Sequence, residues 1–326
     1  MDRVLQRLEE LYAISPTRVG GSPEEDAAHL LVTQWLADAG LRVDVDAAGN
    51  LFGRRGDAPL WIGSHLDTVP NGGRFDGALG VVAGIEVAER TDVPLAVVAF
   101  RDEERGYGGS LARVELGGLP EAFLELHIEQ GPVLDRADVP LGIVTAIAGQ
   151  SRGQMVFEGR ADHAGTTPMD ARSDALVAAA EFVLRLSAIA RPGVTATVGR
   201  VEVEPGAPNV VPARVTVSVD ARAANAEDFD ALIAEIGFEP LWRIEPVQMH
   251  GNALAVLREV APGAIEVVSG AGHDAGIMAA AGVPTGMLFV RSRNGGVSHS
   301  PDELSSAEDI ALGIDALTRA AVRIAG

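Results

Sequence analysis

Residues 63–84 read GSHLDTVPNGGRFDGALGVVAG, and the fold turns on how this stretch is parsed. The apolar run Leu60-Trp61-Ile62 precedes it and fits a buried strand ending at Gly63. His65 and Asp67 follow directly, and Asp76 stands between Phe75 and Gly77. Ala78 to Ala88 then has the apolar spacing of a helix. An imidazole and two carboxylates therefore crowd the end of one strand and the start of the next helix, where open α/β sheets bind ligands. Alone, the stretch also fits a polar loop with incidental acids. The ends of three other strands decide between the two.

Leu95–Phe100 is a continuous apolar run, as in a strand buried on both faces, and it ends in Asp102-Glu103-Glu104. Ala122–Leu126 ends in His127-Ile128-Glu129-Gln130-Gly131. Thr285–Val290 runs into a glycine-rich loop carrying Ser298-His299-Ser300-Pro301. Upstream, helices are expected over 2–13 and 24–39, the second capped at Ser22-Pro23-Glu24-Glu25 and stopped by Gly40. Leu41–Val45 alternates like a strand, Gly49-Asn50 marks a turn, and Leu51–Gly53 returns. This alternation makes the first part α/β.

Near residue 150 the pattern changes. Strands are expected over 154–160, 194–204 and 215–219, with helices over 174–189 and 226–236. A β-α-β-β-α-β order fits a small ferredoxin-like sandwich. The α/β pattern resumes with a helix over 254–260, a strand over 265–268, a helix over 276–281, the strand at 285 and a last helix over 307–323. The expected organisation is a catalytic domain in two pieces, 1–150 and 254–326, with an α+β domain inserted at 151–253.

With 326 residues and 47% hydrophobic content, the chain can bury a sizeable core; aromatics are only 4%. All 26 basic residues are Arg, against 46 acids, for a net charge of −20. That balance argues against nucleic acid or an anionic membrane surface as partner. The absence of Cys excludes disulfides, thiolate nucleophiles and Cys-ligated metal. Any metal must be held by His, Asp and Glu, ligands suited to zinc, manganese, nickel or cobalt. The start, MDRVLQRLEELYAIS, reads as a charged amphipathic helix and not as a signal peptide or span, so a cytoplasmic protein is expected.

If the four strand ends converge, the residues divide between two divalent ions: His65 and His127 on one, Glu104 and His299 on the other, and Asp76, on a tight Asp-Gly turn, on both. Asp67 would hydrogen-bond His65 and fix its tautomer. Glu103 would point away from its neighbour Glu104 in an extended segment and so be free as general base. Water bound to such ions has a strongly lowered pKa, which makes hydroxide available near neutrality. Taken singly, each histidine fits a turn or a core position and the acids fit a solvated loop; their joint placement after buried strands favours the centre. His29 is expected at the surface of its helix, and His250 is left without a role.

GSHLDTVPNGGRFDG, DEE, LHIEQGP, HAGTTPM, NVVP followed by DAR, GAGHDA and SHSP occur in the order of a known family. Over residues 20 to 305 the chain resembles the amidase/hydantoinase/carbamoylase branch of the dinuclear-zinc aminoacylase and carboxypeptidase superfamily, with its N-carbamoyl-L-amino-acid hydrolases, allantoate amidohydrolases and β-ureidopropionases. The resemblance implies a hydrolase-like α/β catalytic domain, a ferredoxin-like lid that forms a homodimer, two divalent ions (zinc, or manganese, cobalt or nickel), and the same ligand and base residues. It implies a small ureido or carbamoyl acid as substrate, contacted by Gln130, His163, Asn209 and Arg222. His163 would come from the partner's lid to polarise the scissile carbonyl, and Arg222 would hold the substrate carboxylate. It further implies lid closure, with hinges expected at 149–153 and 251–254.

The connection from Ser110 to Leu124 and the lid are short for that family, Arg105-Gly106-Tyr107 departs from its glycine-first continuation, and Arg291 replaces a frequent proline and looks more like the allantoate side. An aminoacylase or dipeptidase of the same superfamily is the first rival reading, and a non-catalytic dimeric binding protein the second.

Overall fold

The structure, a computed structural model, describes residues 1–326 apart from Ala190 and Pro192. Its chain opens with helices α1 (Asp2–Ile14) and α2 (Pro23–Asp38), the latter capped as expected, with Ser22 Oγ accepting from Glu25 N. Strands β1 (Arg42–Val45), β2 (Leu51–Arg55) and β3 (Leu60–His65) lead to α3 (Ala78–Arg90), β4 (Leu95–Phe100), α4 (Gly108–Leu116), β5 (Ala122–Ile128), α5 (Val133–Ala137) and β6 (Leu141–Ile147). Next come β7 (Gly149–Glu158), α6 (Ala175–Ser187), β8 (Val194–Thr197), β9 (Val201–Glu204), β10 (Arg214–Ala223), α7 (Ala226–Ile236), β11 (Glu239–Ile244) and β12 (Val247–Gln248). The chain closes with α8 (Gly251–Val260), β13 (Ile265–Ser269), α9 (Asp274–Ala280), β14 (Thr285–Val290) and α10 (Ala307–Ala325). It divides into two compact units, 1–145 with 248–326, and 146–247.

In the first unit the strands run in the order β1-β2-β4-β3-β5-β14-β6. Its centre, β4-β3-β5-β14, is parallel, and β2 and β6 flank it antiparallel. Every residue of β3, β4, β5 and β14 is buried, which is why these runs show no alternation. Parallel pairing puts the C-terminal ends of all four at one edge, and each is followed by one of the polar clusters. α3 is buried from Ala78 to Ala88 and is apolar all round but for Glu86, which is paired with Arg3 and Arg90. α4 was not expected: its N-cap position is Tyr107 in the left-handed region, followed by two glycines, so the sequence carries no start signal. His29 corrects a second expectation. The stripe Glu25, Ala28, His29, Val32, Leu36 is the inward face of α2, and His29 is 5% exposed.

The second unit is a two-layer sandwich of sheet β11-β7-β10-β8 and helices α6 and α7. Along β10, Val215, Val217, Val219, Ala221 and Ala223 pack into a core with Phe182, Phe229 and Leu232, so period-2 alternation puts Asp220 and Arg222 on the opposite face. The strand expected over 194–204 is broken: β8 pairs with the end of β10 and β9 with its start. Gly149–Gly153, expected as a hinge, lies inside β7 and is paired residue by residue with 219–223; Gly251–Leu254 begins α8. The chain passes between the units at 145/146 and 247/248, a few residues from both expected hinges.

Candidate metal centre

β3 and β5 pair in the register Leu60↔Ala122, Trp61↔Phe123, Ile62↔Leu124, which, continued along the strands, sets His65 level with His127. Parallel in-register residues share a face, and the two rings lie 6.0 Å apart. Asp76 reaches them through a tight turn at Gly77 (φ 63°, ψ −54°), across which Ala78 N donates to Asp76 O at 2.6 Å. A Cβ on Gly77 would also fall 2.5 Å from the His65 ring, so only glycine fits. Asp76 Oδ1 is 3.1 Å from His127 Nε2 and 3.7 Å from His65 Nε2. Its other oxygen is 3.3 Å from His299 Nε2, which lies 3.5 Å from Glu104 Oε2. Two acid–imidazole groups result, His65-Asp76-His127 and Asp76-Glu104-His299, each with its donor atoms within 4.8 Å of one another, and Asp76 belongs to both.

The hydrogen bonds behind the rings fix what they present forward. His127 Nδ1 faces the Ile128 carbonyl at 2.9 Å, and His65 Nδ1 faces the Asp67 carbonyl at 3.1 Å and its Oδ1 at 3.3 Å. Carbonyl oxygens only accept, so each ring keeps a proton on Nδ1 and, when neutral, turns its Nε2 lone pair toward Asp76 Oδ1. That oxygen is buried and receives no hydrogen bond, as is Glu104 Oε1. Lone pairs facing carboxylate oxygens in a dry site call for a cation, and these nitrogen and oxygen donors fit a divalent one.

Protons provide the compensation in the local electrostatics: against their burial, the surrounding carboxylates hold His65 well above 6.5 and His127 above it. Burial, joined by the neighbouring Asp76 charge, pushes Glu104 up to about 7. Burial also raises Glu103 well above the usual carboxylate range, with Asp274, Glu104 and Asp76 adding to it and His65 opposing. Asp76 lies well below that range, because its contacts with His127 and His299 outweigh its burial. The contact with Asp76 lifts His299 to about 9. A bound cation would take over the compensation that protons provide here.

Glu103 departs from the sequence expectation. Residues 104–106 form a turn closed by the Glu103 carbonyl, which accepts from Gly106 N and Tyr107 N, and Asp102 before it sits at φ 54°. Both glutamates therefore face the cluster, with Glu103 Oε2 3.7 Å from His65 Nε2. Asp67 holds the turn from inside: Oδ1 accepts from Glu103 N and Oδ2 from Glu104 N, each at 3.1 Å. From outside, Glu25 accepts from Asp102 N at 3.1 Å and from Arg101 Nη1 at 2.9 Å. Gln130 (φ 56°) donates Nε2 to Asp76 Oδ2 at 2.9 Å and to Ser298 Oγ at 3.1 Å.

Several residues of this cluster escaped the sequence reading. Glu125, buried in β5, accepts from Ser64 Oγ and Ala275 N. His273, at the start of α9, sets its ring edge-on to His127 at 4.5 Å, and its Nε2 lies 2.9 Å from Ser269 Oγ. The signal was a charged residue inside an apolar strand for the first and the GAGHDA motif for the second. Arg291 is paired within the fold: Nε and Nη2 bind Asp309 and Nη1 binds Asp138.

In the second unit His163 pairs with Val210, and Ala164 N donates to the Asn209 carbonyl, so His163 and Asn209 are neighbours. His163 Nδ1 accepts from Gly165 N at 3.0 Å and Thr166 N at 3.2 Å, which leaves the proton on the exposed Nε2. Arg222 is paired with Asp220 through Nε (2.8 Å) and Nη2 (3.2 Å), and Asp220 also accepts from Arg152.

The model of peptidase family M20/M25/M40 matches residues 61–323, which hold all the residues of both acid–imidazole groups. The chain belongs to this family. Within it, the chain is 38% identical to the N-carbamoyl-L-amino acid amidohydrolase of Geobacillus stearothermophilus, covering 97% of this chain and 96% of that one. It is 35% identical to the allantoate amidohydrolase of Bacillus subtilis strain 168, over 93% and 91%. The structure superposes with a TM-score of 0.90 on a hydantoinase/carbamoylase family amidase from Burkholderia ambifaria, 30% identical over 100% of this chain and 97% of that one. The first alignment runs to 396 positions against 326 residues here, so that relative carries stretches this M20 chain lacks. Among the described residues, no helix is long and apolar enough to cross a membrane.

Proposed function

We propose that the protein hydrolyses a linear ureido or carbamoyl C–N bond, of the N-carbamoyl-L-amino acid or allantoate type, at a centre of two divalent ions. The observation that carries this reading is Asp76 shared between two acid–imidazole groups. His65 and His127 would hold one ion, Glu104 and His299 the other, with zinc, manganese, cobalt or nickel fitting a donor set without sulfur. Bound there, such ions would acidify water and polarise a carbonyl.

Glu103 takes the proton from the attacking water and returns it to the leaving nitrogen. Buried at the edge of the cluster, with Oε2 3.7 Å from His65 Nε2, it is placed to exchange a proton with a group held there. Gln130, with its amide nitrogen held by Asp76 and Ser298, offers Oε1 to a substrate N–H. His163, with Nδ1 occupied by two backbone amides, is a ready Nε2–H donor to a developing oxyanion, and Asn209 stands beside it. Arg222 would take the substrate carboxylate, in competition with Asp220. By resemblance His163 serves the neighbouring protomer, which makes the protein a homodimer through its second unit.

The test is a substrate panel on metal-reconstituted protein, comparing N-carbamoyl-L-amino acids, allantoate, N-acyl amino acids and dipeptides. Turnover of the first two supports the reading, and turnover of acyl or peptide substrates alone replaces it with an aminoacylase or dipeptidase. Glu103→Gln should lower kcat by about 100- to 10,000-fold with metal content unchanged; full activity would remove Glu103 from the mechanism.

A further inference from the structure

Glu303, buried at 4% exposure, is absorbed by none of the roles above, yet its carboxylate receives four hydrogen bonds, two from its own loop and two from the distant Phe75-Asp76 segment. Oε2 accepts from Phe75 N at 3.1 Å and Asp76 N at 3.4 Å. Oε1 accepts from Ser298 Oγ at 2.9 Å and His299 N at 3.2 Å. Ser298 Oγ is in turn reached by Gln130 Nε2, which also donates to Asp76 Oδ2, closing a ring Glu303–Ser298–Gln130–Asp76. Asp76 precedes the tight turn at Gly77, and His299 sits at φ 55°, a conformation that residues with a Cβ adopt when their surroundings impose it. Gly73 makes room for the staple, since a Cβ there would lie 1.8 Å from Glu303 Oε2.

We propose that Glu303 is a positioning residue that staples the Asp76 and His299 loops together and so sets the geometry of the Asp76-Glu104-His299 cation site. This rests on the two-ion reading above. The carboxylate touches neither substrate nor ion; it acts through the backbone of two ligands, as outer-shell partners of metal ligands do.

The experiment is calorimetric titration of metal-stripped protein with Mn²⁺, alone and against a competing chelator, on wild type, Glu303→Gln, Gly73→Ala and Glu104→Gln. Far-UV circular dichroism checks that each variant is folded. Gln keeps one acceptor and turns an amide toward the other pair of donors, while Gly73→Ala displaces the carboxylate without removing it. Both should bind the ion at Asp76-Glu104-His299 about 10- to 100-fold more weakly, in the pattern of Glu104→Gln, with a smaller loss at the other ion, which shares Asp76. Two ions bound as in wild type by Glu303→Gln, or equal weakening of both, overturns the proposal alone. A wild type that takes up a single ion overturns the two-ion reading and this proposal with it. If one of the two variants fails to fold, the other decides.

Discussion

Replacing Asp67 with Asn tests whether this buried carboxylate organises the centre or only fills space. Its two oxygens receive Glu103 N and Glu104 N, and Oδ1 also faces His65 Nδ1. Asn has one carbonyl oxygen, so in either orientation its NH₂ must face a backbone N–H that points into a site with no exposure. One buried donor is left unsatisfied, at about 1–3 kcal/mol, and a charge-assisted contact to His65 weakens to a neutral one, for a total of roughly 2–4 kcal/mol. The turn that carries Glu103 and Glu104 loses half of its inner anchor, and His65 Nδ1 keeps the Asp67 main-chain carbonyl but loses the carboxylate behind it. By the usual effect of outer-shell changes, metal affinity or kcat should fall about 10- to 100-fold. Urea unfolding of metal-stripped protein reads the first quantity; chelator competition and kcat at saturating metal read the second. The hydrogen bonds outweigh the burial that opposes them and hold Asp67 below its ordinary value of 3.8. Its contribution is therefore complete above that value and lost as the pH falls through the lower folded-state value, so the gap between wild type and variant should close in acid. An Asp67→Asn protein with wild-type stability, metal affinity and kcat would refute the reasoning.

Gly77→Ala forces a Cβ into positive φ and to 2.5 Å from the His65 ring; metal binding should drop at least as far as in Asp67→Asn, and chelator competition reads it. Arg291→Ala leaves the buried Asp309 with the more distant Arg293 Nη2 at 3.6 Å and should cost up to roughly 3–5 kcal/mol in urea unfolding, with kcat unchanged at temperatures where the variant is folded. Burial, with Arg101 adding to it, lowers His29 from 6.5 to about 3. The unfolded chain takes up this proton below pH 6.5 while the folded one refuses it until near 3, so stability falls as the pH drops across that window. His29→Leu should flatten the slope by up to about 1.4 kcal/mol per pH unit, measured by urea unfolding between pH 7 and 4.

Local pattern determined a good deal by itself. Apolar runs of strand length and the residues at or after their ends, His65, Glu104, His127 and His299, were legible because a buried parallel strand concentrates its polar groups toward its end. Ser22 capping α2 and the alternation along β10 were legible for the same reason, since both are short-range properties. What stayed hidden depends on contacts between distant segments. The turn that brings Glu103 and Glu104 to one side is held by Asp67 and Glu25, respectively 36 and 77 residues from their amide partners Glu103 and Asp102. The burial of His29 follows from which stripe of α2 meets the sheet, and the fate of Arg291 from Asp309 and Asp138 arriving on other elements. Glu303 reads as one more acid after a proline until the fold sets it against Asp76 N, 227 residues away. Sequence fixes which groups stand at strand ends, because that depends on neighbours in the chain; packing alone decides which of them share a dry site, because hydrogen bonds and charges act through space.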